Sequence, residues 1–294
     1  MTRSAVPGSV PAAESPAPAG ARAESPGSAF DTATGVSRDG DGVWRADLAP
    51  DWDLGTGILN GGYLLSVVGR AAVLDSPHEH PVALAAGFLR PARADRATLH
   101  VSTAPPGRTT AHATVGLADS TGTLISAQVT TATLTAVEAA GSRPDATPVE
   151  KCLPLTEEGA RSMPGVPFPG LMRQVETRLD PVTAGWVFGK PADEPVHRAW
   201  VRFADGRDPD PLALVLFADV LPPTGFALGR MGWAPTVQIQ VLVRDLPAPG
   251  WCLVETRGGE VRDGWVDEDC RIWDSTGRLV AQARQLARVA RAPQ

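Results

Sequence analysis

The sequence predicts an α+β protein in which one fold is written twice, each copy a long buried helix wrapped by a curled antiparallel sheet. Three observations carry this reading. The tetrapeptide Asp-Ser-Thr-Gly occurs at Asp119 to Gly122 and again 155 residues later at Asp274 to Gly277, each time followed by one residue, a Leu and a β-branched aliphatic. On nearly the same shift, Arg90 after Phe88-Leu89 answers to Arg244 after Leu242-Val243, and Trp44 answers to Trp200. So long a period is a duplicated domain, not a solenoid repeat. Each half also holds one helical stretch that is apolar on nearly every side, as a helix surrounded by sheet must be. Finally, alternating runs are separated by turns rich in Gly, Pro and Asp, the mark of an antiparallel meander.

Taken in order, residues 1–30 mix Ala, Pro, Ser, Gly and Glu without the apolar stretch of a secretory signal, and are expected to form a disordered tail. The first copy, 31–135, opens with a strand over Val43 to Leu48. Asn60-Gly61-Gly62 then leads into a helix over Tyr63 to Leu74, followed by strands at Val82 to Leu89, Ala97 to Ala104, His112 to Ala118 and Leu124 to Leu134. Weak periodicity and several prolines mark 136–169 as a linker. In the second copy, 170–291, strands near Arg173 to Leu179 and Arg198 to Phe203 precede Asp210-Pro211, a helix N-cap and first-turn proline. The helix is expected over Leu212 to Leu221. Strands at Val237 to Arg244, Trp251 to Gly258, Gly264 to Trp273 and Leu279 to Val289 complete the half.

Composition narrows the function. The 294 residues suffice for two fused cores, and 43% hydrophobic content is ordinary for a globular protein. A net charge of -6 argues against a nucleic-acid partner. Cys152, Cys252 and Cys270 lie far apart, without metal-site or redox spacing, which suits a reducing, cytoplasmic compartment. No apolar run approaches the ~18 residues of a membrane span.

Residues present in one copy and absent from the other are not needed for the shared fold, so they are where function is sought. Asp219 is the lone polar side chain of the second helix and shares a face with Leu212, Val215 and Leu216; the first helix has no acid at the matching turn. Burying an unpaired charge is costly enough to require partners. Gln285 falls on the inward, small-residue face of the last strand with Ala281, Ala283 and Ala287, and a buried amide needs hydrogen-bond partners too. Thr236 starts a strand just after Trp233-Ala-Pro235, within reach of the same helix.

These segments, Leu-Phe-Ala-Asp219, Trp233-Ala-Pro-Thr236 and Leu279-Val-Ala-Gln-Ala-Arg-Gln285, with Asn60-Gly-Gly-Tyr63 and Phe88-Leu-Arg-Pro91, resemble the double-hotdog acyl-CoA thioesterases of the thioesterase II type. The resemblance covers about 40–135 and 170–290. It implies a tandem hotdog fold, acyl-CoA or acyl-carrier thioester hydrolysis, no cofactor or metal, and a homodimer or higher homo-oligomer. It also implies that Asp219, Thr236 and Gln285 hold the attacking water. Aligned through Arg244, Thr236 stands one residue out of step with the family pattern. Gly61 and Gly62 are candidate oxyanion donors, Asn60 is a candidate substrate-binding residue and Trp233 a candidate acyl-groove residue. Arg90, Arg108 and Arg244 are candidates for a nucleotide phosphate.

Two rival readings are a hotdog hydratase or dehydratase, which needs a His near the helix start, and a non-catalytic acyl-CoA or lipid-binding module. Three further features are given structural readings: His78-Glu79-His80 as a helix end and not a metal site, Asp51 and Asp53 as loop residues, and Asp267-Glu268-Asp269 as a solvated strand edge.

Overall fold

A computed structural model describes residues 27–137, 141–157 and 168–289. Its strands are β1 (Ser37–Gly40), β2 (Val43–Asp47), β3 (His80–Phe88), β4 (Arg96–Thr103), β5 (Ala111–Asp119) and β6 (Gly122–Ala132) in the first half. Those of the second are β7 (Leu153–Pro154), β8 (Val175–Leu179), β9 (Val196–Phe203), β10 (Thr236–Val243), β11 (Cys252–Gly258), β12 (Trp265–Trp273) and β13 (Leu279–Arg288). Four helices accompany them among the described residues: α1 (Ala29–Ala33), α2 (Gly61–Leu74), α3 (Leu171–Gln174) and α4 (Pro211–Phe217).

All thirteen strands form one antiparallel sheet in the order β1-β2-β4-β5-β6-β3-β10-β13-β12-β11-β9-β8-β7. The halves meet where β3 pairs with β10, with Ala85 opposite Gln240. Those two residues are equivalents under the 155-residue shift of the repeated tetrapeptide. A local twofold therefore passes through this pair, and Leu84↔Val241 exchanges with Ala86↔Ile239 across it. The two tetrapeptides also fold alike. Asp119 Oδ1 accepts from the Thr121 amide at 2.7 Å and its hydroxyl at 2.6 Å, while Asp274 Oδ1 accepts from those of Thr276 at 3.0 and 2.7 Å. Gly122 and Gly277 complete the turns at φ 117° and 87°, where a side chain would be strained.

Helices α2 and α4 pack antiparallel inside the sheet, and α2 turns its small residues toward its partner. A Cβ on Gly62 would lie 2.6 Å from the Leu216 carbonyl oxygen, and one on Gly69 would lie 3.0 Å from Leu212 Cδ2. Between them Ser66 Oγ donates to the carbonyls of Gly62 at 2.8 Å and Leu212 at 3.2 Å. Asn60 and Asp210 are the N-caps, accepting from Tyr63 N and Ala213 N. Matching these caps places Gly62 against Leu212 and Gly69 against Asp219. The two ends of the helix pair are thus related in position and differ in content: Gly62 meets Asp219 at one, Leu212 meets Gly69 at the other.

Several expected boundaries move. Helix α4 stops at Phe217 and not Leu221, and Pro222 and Pro223, which have no N–H to offer the carbonyls of a further turn, follow it. Asp219 therefore sits just past the helix, its amide donating to Leu216 O at 3.1 Å. Residues 1–26 of the expected tail lie outside the described residues, but Phe30 is buried in helix α1, and Arg207 ties Asp31 to the Asp210 cap at 2.8 and 2.6 Å. In the expected linker, β7 pairs with β8, and Cys152 packs with Trp200, Leu253 and Trp273. Arg173 and Gln174 belong to α3 and not to a strand.

Candidate active site

Asp219 stands where the C-terminal end of α4 meets the N-terminus of α2. Its Oδ2 accepts from Gly62 N at 2.9 Å and from Asn60 Nδ2 at 3.3 Å, and the same Asn60 amide group donates to the Asp219 carbonyl at 2.8 Å. Asn60 is buried and holds both partners: its Oδ1 caps α2 through Tyr63 N at 2.9 Å while its Nδ2 fixes Asp219. Burial pushes the Asp219 carboxyl up to about 7, helped by the negative charge of Glu268 and opposed by the Gly62, Asn60 and Gly61 donors. A carboxyl so placed exchanges a proton near neutral pH, the property a general base needs.

Thr236 and Gln285 come from neighbouring strands. Thr236 Oγ1 donates to Gln285 Oε1 at 2.9 Å. In the β10–β13 ladder Thr236 faces Ala287 and Gln238 faces Leu286, an irregularity of one residue at Val237. A bulge re-aims side chains, and here the Thr236 hydroxyl is turned toward Gln285. Gln285 lies opposite Ile239 on one side and Glu268 on the other, facing inward as its alternation requires.

A cavity of about 310 Å³ is lined by Asn60, Gly61, Asp219, Thr236 and Gln285, with Arg90, Trp233 and Glu268 on its wall. A second, of about 290 Å³, shares Asp219, Leu221 and Trp233 with the first and runs between Phe168, Leu171, Met172, Trp186 and Phe226. The first brings polar groups together; the second is an apolar slot beside them. Asp219 touches both.

Not every candidate belongs here. The Gly62 N–H is taken by Asp219, so it is not free for an oxyanion. Gly61 and Gly62 serve the close approach of helix ends, since a Cβ on Gly61 would lie 2.7 Å from Asp219 Oδ2. Arg90 lies on the wall, with its guanidinium donating to the Thr121 carbonyl within the Asp119–Gly122 turn and to the Thr123 carbonyl just after it. Arg244 is absent from the cavity lining and donates to Gln282 Oε1 at 3.3 Å. Asp53 accepts from Gly57 N and Gly170 N at 2.8 and 2.9 Å, which makes it a loop tie. His80 Nδ1 accepts from Leu134 N at 3.1 Å, and no cluster able to hold a metal occurs among the described residues.

Glu268 corrects the reading of the acidic run. Strand β12 is interior to the sheet, between β11 and β13, and Glu268 is 5% exposed, pointing inward with Val266, Cys270 and Ile272. Period-two alternation contained this signal. The flanking Asp267 and Asp269 point outward and meet Arg284 at 2.6 and 3.8 Å. His197, the histidine nearest the second helix in the sequence, is buried, donates from Nε2 to Pro223 O at 3.0 Å, and lines neither cavity.

Residues 48–137 match the model of the acyl-CoA thioesterase N-terminal domain, and residues 149–289 match that of the C-terminal domain. Uncharacterized proteins of Mycobacterium tuberculosis and Mycobacterium bovis are 31% identical over 266 residues, which is 84% of this chain and 91% of theirs. A crystal structure from Thermobifida fusca YX, provisionally named a thioesterase II, superposes with a TM-score of 0.81 at 32% identity over 91% of this chain and 99% of that one. A hot dog protein of unknown function from Alicyclobacillus acidocaldarius superposes with a TM-score of 0.76 at 20% identity, covering 90% of this chain and 99% of its own. No described helix is long and apolar enough to cross a membrane. With both domain models matched in order along one hotdog-type α+β chain, the protein belongs to the acyl-CoA thioesterase family.

Proposed function

We propose that the protein is a double-hotdog hydrolase of acyl-CoA or acyl-carrier thioesters and that Asp219, Thr236 and Gln285 hold the attacking water. The observation that carries the reading is Asp219 itself: a carboxyl raised to about 7, set at the junction of a polar cavity and an apolar slot. Its known hydrogen bonds go to Oδ2, which leaves Oδ1 to take a proton from water. The water oxygen bonds to the thioester carbonyl carbon. The tetrahedral intermediate then expels the thiolate, and the proton passes to the sulfur, giving free acid and thiol.

Gln285 spends its carbonyl oxygen on Thr236 and one N–H on Glu268, so its second N–H is the one directed to a bound oxygen. The slot beside Trp233 takes the acyl chain. Absence of a histidine from the cavity lining disfavours the dehydratase reading. Three buried free cysteines fit a cytoplasmic protein, and pairing into a homodimer accompanies the family reading. The test is thiol release from a panel of short to long, aliphatic and aromatic acyl-CoAs by the parent and Asp219→Asn. Turnover lost in the variant supports hydrolysis at this site; equal binding without turnover in either protein overturns it in favour of a binding module.

A further inference from the structure

The site contains a second acid that the water-holding triad does not explain. Glu268 Oε1 accepts from the Thr224 amide at 2.8 Å and from the Thr224 hydroxyl, and its Oε2 accepts from Gln285 Nε2. Thr224 is fully buried and starts a short 3-10 turn, Thr224–Phe226. Behind that turn the Pro223 carbonyl is held by His197 Nε2, and a Cβ on Gly258 would lie 2.4 Å from Thr224 Oγ1, so β11 leaves Thr224 little room to move. Glu268 thus reaches the cavity from a rigid anchor.

We infer that Glu268 is a positioning residue for the reaction: anchored by Thr224, its carboxylate fixes the Gln285 amide and places a second negative charge beside Asp219. The inference rests on the hydrolase reading above. An amide is nearly symmetric in shape and its two ends are opposite in hydrogen-bonding character. A carboxylate only accepts, so it holds the Gln285 nitrogen on its own side and sends Oε1 toward Thr236. With a donor at 268 in place of an acceptor, the amide would reverse, and its N–H groups would leave the water.

The charge has its own effect. The titratable groups facing Asp219 are Glu268 and Cys270, both on β12, while α2 contributes only the neutral Asn60 and backbone amides. Arg90 is the cation on the cavity wall, and its guanidinium is occupied by the turn at Thr121. Glu268 therefore makes the Asp219 carboxylate a stronger base.

The test compares kcat, KM and the pH profile of kcat/KM for the parent, Asp219→Asn, Glu268→Gln and Thr224→Val on one acyl-CoA. Glu268→Gln keeps size and removes charge. Its kcat is expected to fall on the order of a hundredfold, as for a catalytic group misplaced by about 1 Å, with KM changed little. The acid limb of its residual activity should move to lower pH. Thr224→Val, which loosens the anchor and keeps the charge, should lower kcat less and leave the acid limb in place. A parent-like kcat and acid limb in Glu268→Gln, with Asp219→Asn inactive, overturns this inference and leaves the hydrolase reading standing. A loss in Glu268→Gln with no movement of the acid limb also overturns it, since a merely structural role would do that. If Glu268→Gln does not fold, parent-like kinetics in Thr224→Val overturn it. A parent without turnover removes the reading beneath it.

Discussion

Asp219 Oδ2 accepts the Gly62 N–H at 2.9 Å, so a carboxylate from the second half of the chain sits on the N-terminus of the first half's helix. The fourteen-residue α2 presents the positive end of its dipole there, which favours the anion that burial disfavours. The site is consequently shared between halves.

Replacing Gly62 should therefore harm fold and activity together. A Cβ there meets the Leu216 carbonyl oxygen at 2.6 Å and Asp219 Cβ at 3.1 Å, and backbone cannot step aside. Gly62→Ala is expected to cost about 1–3 kcal/mol, as overpacking does, and to lower kcat. Gly69→Ala, whose one tight contact is the flexible end of Leu212 at 3.0 Å, should be milder. Thermal melts and acyl-CoA assays of the two variants check the order.

Asp219→Asn should stabilise the protein at alkaline pH. The folded carboxyl titrates near 7 against 3.8 unfolded, so between those values the native state holds a proton that the unfolded chain has lost. Stability contributed by Asp219 accordingly falls as pH rises through that window, by on the order of 4 kcal/mol. His197 has the opposite sign: burial lowers it from 6.5 to about 4, so its contribution is lost as pH falls through that range. The two slopes oppose one another in the parent. In Asp219→Asn the His197 slope is no longer opposed by Asp219, and denaturant midpoints should rise from pH 4 to 6.5.

Asn60→Ala should separate capping from catalysis. Loss of the cap is expected to cost about 1 kcal/mol, and loss of the Nδ2 donor should raise the acid limb of kcat/KM, because that donor favours the charged form of Asp219. A melting curve and a pH profile read the two effects independently.

Arg244→Ala should leave KM for acyl-CoA within about twofold, a change of under 0.5 kcal/mol, because its guanidinium binds Gln282 and does not line the cavity. A large rise in KM would show that nucleotide contacts extend to that face.

Sequence alone carried the buried helices and most strand positions, and it singled out Asp219 and Gln285, which line one cavity. It did so because these depend on periodicity and on polar residues breaking an apolar pattern. Glu268 was obscured by its acidic neighbours, although alternate residues of a strand face opposite ways. The Gly62 contact was hidden for another reason: which helix end meets which is decided by the β3–β10 junction, a long-range pairing that no local pattern encodes. Arg90 and Arg244 were equal candidates in the sequence, and of the two only Arg90 lines the cavity that holds Asp219.

The exchange of Gly62 and Asp219 at one helix end for Leu212 and Gly69 at the other has a genetic corollary. Two identical subunits must carry the same residue at both symmetry-related ends, so each would bury an acid and each would bear the resulting instability. A fused chain is released from that obligation. Here one end carries the acid, while the other fills the same place with hydrocarbon packed against Gly69.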